Sequence, residues 1–77
     1  VSWFDYKWQA EQFRDDPPFY GVVMLAMHRA DSLNAVYLRS AFPEVWDELQ
    51  ARYNAPGGLL DSDPPHLRER VLSGELS

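Results

Sequence analysis

Between residues 17 and 53 the apolar positions recur at helical spacing: Phe19, Val23, Ala26, Ala30, Leu33, Tyr37 and then Ser40 or Ala41 follow alternating steps of four and three. That is a heptad seam held through three repeats, uninterrupted by Gly or Pro after Gly21. The spacing predicts one long helix over residues 17–42, about 39 Å at the standard rise. Asp31-Ser32 is a potential cap inside it, but the seam keeps its phase across that point, which favours continuity with a bend near Asp31 as the fallback. Small Ala26 and Ala30 at mid-seam would let another helix approach closely.

Three further helices flank the long one. Ser2 can cap a helix over residues 2–14, with Asp5 in its first turn. Trp3, Tyr6, Ala10 and Phe13 fall on one face of it, and Phe4 and Trp8 form a second stripe on a different side. Asp16-Pro17-Pro18 reads as a helix start with Asp16 as N-cap, and Asp63-Pro64-Pro65 repeats the device. Phe42-Pro43 ends the long helix and opens another over residues 43–54, with Phe42, Val45, Trp46, Leu49 and Tyr53 on one stripe and Glu48 and Arg52 paired on the wet side. Asn54-Ala55-Pro56-Gly57-Gly58 stops it. A short helix over residues 64–72 offers Leu67, Val71 and Leu72 as anchors, and residues 75–77 are expected to fray.

The fold class is therefore all-α: a single domain over residues 1–77, a small bundle of three main helices plus a short C-terminal one, organised around the long central helix. Its expected core is Tyr6, Phe13, Phe19, Val22, Val23, Ala26, Ala30, Leu33, Tyr37, Phe42, Val45, Leu49 and Tyr53. Strand-forming residues are scarce, with no Ile and no Thr in the chain.

Composition alters this picture in two ways. A core built from 77 residues is marginal, and with no Cys neither disulfides nor a Cys-rich zinc site can reinforce it. The load of three Trp, four Tyr and four Phe must then be buried internally, by a partner or by self-association. The net charge of −5 disfavours direct contact with nucleic acid or anionic membranes. The longest apolar run, residues 19–27, is too short to span a bilayer, and the default compartment is the cytosol. Basic charge is almost all Arg, which points to a GC-rich genome, and Val1 marks either a trimmed fragment or a GTG start.

Candidate chemistry is thin. His28, Asp31 and Ser32 are the residue types of a hydrolytic triad, but a helix interior supplies no oxyanion hole. Asp61, Asp63 and His66 lack the further ligands and the glycine of a calcium loop. Gly57-Gly58 is followed by Leu59-Leu60 rather than by a phosphate-binding Lys and Ser/Thr. Arg68 and Arg70 are too few for a nucleic-acid surface. No catalytic, metal, cofactor or small-molecule site is expected, and the chain is expected not to be an enzyme.

The run Ala30-Asp31-Ser32, Asn34, then Ala41 to Trp46, Glu48-Leu49 and Arg52 to Gly58 resembles a group of small uncharacterised open reading frames of actinobacterial phages and prophages. The resemblance covers roughly residues 19 to 60, agrees with the GC-rich composition, and implies a phage-encoded adaptor or host-takeover factor without assigning a role to any residue. The sequence thus points to a non-enzymatic protein–protein interaction module, self-associating or bound to a larger protein, with Phe4, Trp8, Trp46, Leu59 and Leu60 as contact residues. The alternative is a phage inhibitor that mimics nucleic acid on a host or defence enzyme through Asp15, Asp16, Glu44, Asp47, Glu48, Asp61 and Asp63.

Overall fold

The computed structural model describes residues 2–74; the expectations for Val1 and for residues 75–77 lie outside them. Among the described residues all regular structure is helical: α1 (Trp3–Phe13), α2 (Phe19–Arg29), α3 (Ser32–Ala41), α4 (Pro43–Tyr53), a 3-10 turn (Pro56–Gly58) and α5 (Pro65–Leu72).

The expected helix over residues 17–42 is two helices. Ala30 and Asp31 are extended (φ/ψ −68/137° and −71/177°), and the Asp31 carboxylate accepts the Asn34 N–H at 2.8 Å as N-cap of α3. An acidic side chain that can satisfy a helix start competes with the continuous ladder. His28 and Arg29 close α2 at the end where the helix dipole favours positive charge. The seam's constant phase did not report continuity. In α3 the half-buried positions are Ala35 and Leu38, while seam residues Leu33 and Tyr37 are exposed.

The other boundaries follow local chemistry. Ser2 and Asp5 form a capping box at α1, with Ser2 N–H donating to Asp5 at 2.8 Å. Pro43 opens α4 as expected. Asp16, expected as a cap for α2, instead takes a positive φ of 48° in the turn that closes α1. Pro17 precedes a second proline and is thereby pushed out of the helical region, so α2 begins only at Phe19 with Pro18 as N-cap. The same constraint makes Pro64, not Asp63, the N-cap of α5. Asn54 stays right-handed, and the reversal after α4 falls on Gly57 and Gly58 at φ 64° and 70°, values that a side chain would resist.

Helix α4, rather than a long central helix, is the hub. It packs on α2, on α3 and on the 3-10 turn, and α2 also meets α3; α1 packs on none of them to a comparable extent. Phe19 of α2 meets Phe42 at the α3–α4 junction edge-on, with centroids 6.1 Å apart. Among the described residues only Val23, Met27 and Leu59 are buried. Of the thirteen positions expected in the core, only Val23 is buried, while Ala30, Phe42, Val45 and Leu49 are half-buried. Tyr6, Phe13, Phe19, Val22, Ala26, Leu33, Tyr37 and Tyr53 are exposed. The cause is the shape of the molecule, which measures 43 × 28 × 15 Å. One dimension is little more than a helix diameter, so a face turned away from α4 has nothing to cover it.

Candidate interaction surface

Two arrangements stand out, one that closes a loop and one that leaves a surface open. The first is built on Arg52 in the last turn of α4. Its guanidinium donates to both carboxylate oxygens of Asp63 at 2.8 and 2.9 Å and to the Gly58 carbonyl at 2.8 Å. The predicted Glu48 pair is present at the longer distance of 3.4 Å. Asp63 also accepts the Leu60 N–H at 2.8 Å. A planar fork on a carboxylate is the geometry that arginine supplies and lysine does not. The Arg52 hydrogen bond first, and the Leu60 N–H second, hold the Asp63 carboxyl down at about 2, and the same pairing raises Arg52 above its ordinary value.

This clamp pins residues 58–63 against α4 and decides the fate of the Gly-Gly-Leu-Leu loop. Leu59, expected as a contact residue, is only 6% exposed, and its side chain lies beside Gly57, which in turn adjoins Val71 of α5. Leu59 is thus an interior residue. Leu60 is half-buried and tied through its backbone. Trp46 is half-buried too, beside Met27, Leu49 and Tyr53, with the Arg39 guanidinium 6.0 Å from its ring.

The open surface is α1. Phe4 is 76% exposed and meets Trp3 edge-on at 5.3 Å; Trp8 is 52% exposed. These two do share a face, as their spacing implies. Trp8 also borders a largely apolar cleft of about 250 Å³ between α1 and α2, completed by Phe13, Pro17, Val22 and Leu25, with Gln9, Gln12 and Asp15 at its edge. The opposite stripe of Trp3, Tyr6 and Phe13, assigned to the core by its spacing, is exposed as well, with Phe13 at 74%. Sequence reasoning missed Tyr6, Phe13, Val22 and Leu25 as surface residues. The signal was present: α1 carries apolar side chains on two opposed sides, and a thin bundle can cover at most one of them.

The polar candidates are dispersed. His28 ends α2, Asp31 caps α3 and Ser32 begins it, and among the described residues no hydrogen bond joins the three. The break at Asp31 removes the premise that these residues lie inside a helix. Even so, the carboxylate that would orient the imidazole is committed to Asn34. No group of three or more acidic or imidazole side chains among the described residues is placed to hold a metal ion. Of the seven carboxylates considered for a nucleic-acid mimic, Asp63 is bound by Arg52, Glu48 shares that arginine, and Asp61 lies 3.7 Å from Arg68. No helix among the described residues is long and apolar enough to cross a membrane. No protein-family profile, curated protein or solved structure matches the chain.

Proposed function

We propose that the chain is a small, acidic, non-enzymatic protein–protein interaction module whose apolar surface is covered by another polypeptide. The supporting observation is an excess of surface. A compact monomer of 8.9 kDa exposes about 4,800 Å², whereas this chain exposes 6566 Å². Its radius of gyration is 15.0 Å, against about 11.5 Å for a compact domain of this length. The excess, about 1,750 Å², is roughly twice what one partner contributes to a standard interface. Fourteen large apolar side chains are exposed among the described residues, far more than isolated surface hydrophobics account for. The resemblance to phage and prophage reading frames makes a phage or host protein, or a further copy of the chain, the expected class of partner.

Static light scattering of the purified chain, with Phe4→Ala and Trp8→Ala variants, tests this reading. Association that weakens in the variants supports it. A strict monomer whose variants lose neither stability nor partner capture contradicts it.

A further inference from the structure

Helix α1 is the helix whose large apolar side chains the rest of the chain covers least. Phe4 and Trp8 lie on one side of it and Trp3, Tyr6 and Phe13 on the other, and all five are exposed. An apolar stripe is covered by packing against another element. Helix α1 carries one on each of two opposed sides, separated by Asp5, Lys7, Gln9, Glu11 and Gln12, so it needs a layer on each. Its own chain supplies one layer at most, through Val22 and Leu25 across the cleft. We infer that α1 and the adjoining face of α2 form a homodimer interface that seats a second copy of this chain, an inference that rests on the reading of the chain as an interaction module.

Three observations select a second copy over an unrelated protein. The first is charge. Residues 1–30 carry four acidic and three basic side chains, whereas residues 31–77 carry eight and four, so most of the net −5 lies away from the arm. Within α1, Asp5 and Glu11 are partly offset by Lys7, Arg14 follows at its C-terminal end, and Asp15 on the rim of the cleft and Asp16 come after it. Two copies therefore meet through α1 and α2 with less like-charge repulsion than through their other faces. A basic partner would be drawn to the other half of the molecule.

The second is area. Nine of the fourteen exposed large apolar side chains lie on α1 and α2. If each copy covers there half of its excess, about 875 Å², the dimer buries about 1,750 Å² in total, the size of a standard interface. The third is fit. An apolar cavity of about 150 Å³ holds a benzene ring, so the 250 Å³ cleft admits an aromatic side chain. Helix α1 presents such side chains on the side facing away from the cleft of its own chain. A two-fold axis then lets each copy give and receive the same contact, the self-complementary form of interface that homodimers use.

The test is sedimentation velocity of the full chain from low micromolar to submillimolar concentration, with Tyr6→Glu, Phe13→Glu and, as a control on exposed α3, Tyr37→Glu. The expected result is a dimer of twice 8.9 kDa whose dissociation constant rises at least about tenfold in both α1 variants and stays unchanged in the control. Circular dichroism checks that the variants keep α2 to α5. If they do not, Gln12→Cys chains carrying an environment-sensitive dye decide the matter, because the emission shifts to the blue as concentration rises only if α1 becomes covered at the interface. A dimer broken by Tyr37→Glu but not by the α1 changes overturns the inference, as does a monomer at every concentration. In the monomer case, strong binding of a hydrophobic dye leaves the interaction-module reading standing with a different partner. A cooperatively melting monomer that binds no dye removes both.

Discussion

Replacing Leu59 with Ala separates interior from interface at the loop that the sequence leaves ambiguous. The side chain is 6% exposed, so the substitution withdraws three carbons from the interior. At about 0.8 kcal/mol per buried methylene, the transfer cost is about 2.4 kcal/mol. A cavity would add to this, but the interior is thin and α5 is short, so the site collapses readily and the total stays near the lower end of the Leu→Ala range, about 2.5 kcal/mol. For a domain of this size that lowers Tm by about 10–20 °C. The assay is urea unfolding followed by circular dichroism at fixed protomer concentration, with Leu60→Ala as the half-buried comparison, expected to cost about 1 kcal/mol. A Leu59→Ala unfolding free energy within about 0.5 kcal/mol of the parent, together with lost association, would refute the placement of Leu59 inside and restore it to the contact surface.

Three further outcomes follow from the local geometry. The folded Asp63 carboxyl titrates at about 2, below its ordinary 3.8, so its contribution is complete above the ordinary value and is lost as pH falls from about 4 toward 2. Asp63→Asn should remove that acid transition from the loop resonances in an NMR titration, and Arg52→Lys should fail to restore the fork. Asp31→Ala removes the cap of α3 and should cost about 1 kcal/mol in chemical denaturation; a gain in helix content and stability would show that residues 17–42 prefer continuity. Gly57→Ala places a methyl at a φ of 64° and 3.4 Å from Val71 Cγ1, and should destabilise by about 1 kcal/mol in thermal melts.

Much of the helical layout is legible in the sequence because its signals are local. The Ser2 cap, the Phe42-Pro43 junction and the Glu48/Arg52 pair each act within one turn, and each is found where spacing places it. The break at Ala30 is also local, but there a capping Asp31 opposed an uninterrupted heptad phase, and the cap prevailed. The phase records which residues are apolar, whereas the cap satisfies backbone groups at a defined distance. The two Asp-Pro-Pro starts misled for a related reason: the restriction that a second proline places on the first outweighs the capping propensity of Asp.

What the sequence does not carry is pairing at a distance. Arg52 reaches Asp63 across eleven positions, through a loop whose path depends on two positive-φ glycines, and that reach turns Leu59 inward. Burial is the other gap. Periodicity identified the faces that call for cover, such as Trp3/Tyr6/Phe13 and Leu33/Tyr37, but it holds no information on whether the same chain supplies the cover. Phe4 and Trp8 were legible as exposed because two opposed stripes on one short helix cannot both face one core. Tyr6 and Phe13 were not, since their spacing is that of an ordinary core face.

The central claim is that another polypeptide covers α1. Backbone amide hydrogen exchange of the α1 residues, measured against protomer concentration, tests it most directly. The account predicts that Tyr6 to Phe13 exchange fast in dilute solution and gain protection as concentration rises, in step with the sedimentation mass. Slow, concentration-independent exchange throughout α1 in a monomer would contradict it, because α1 would then be covered by its own chain.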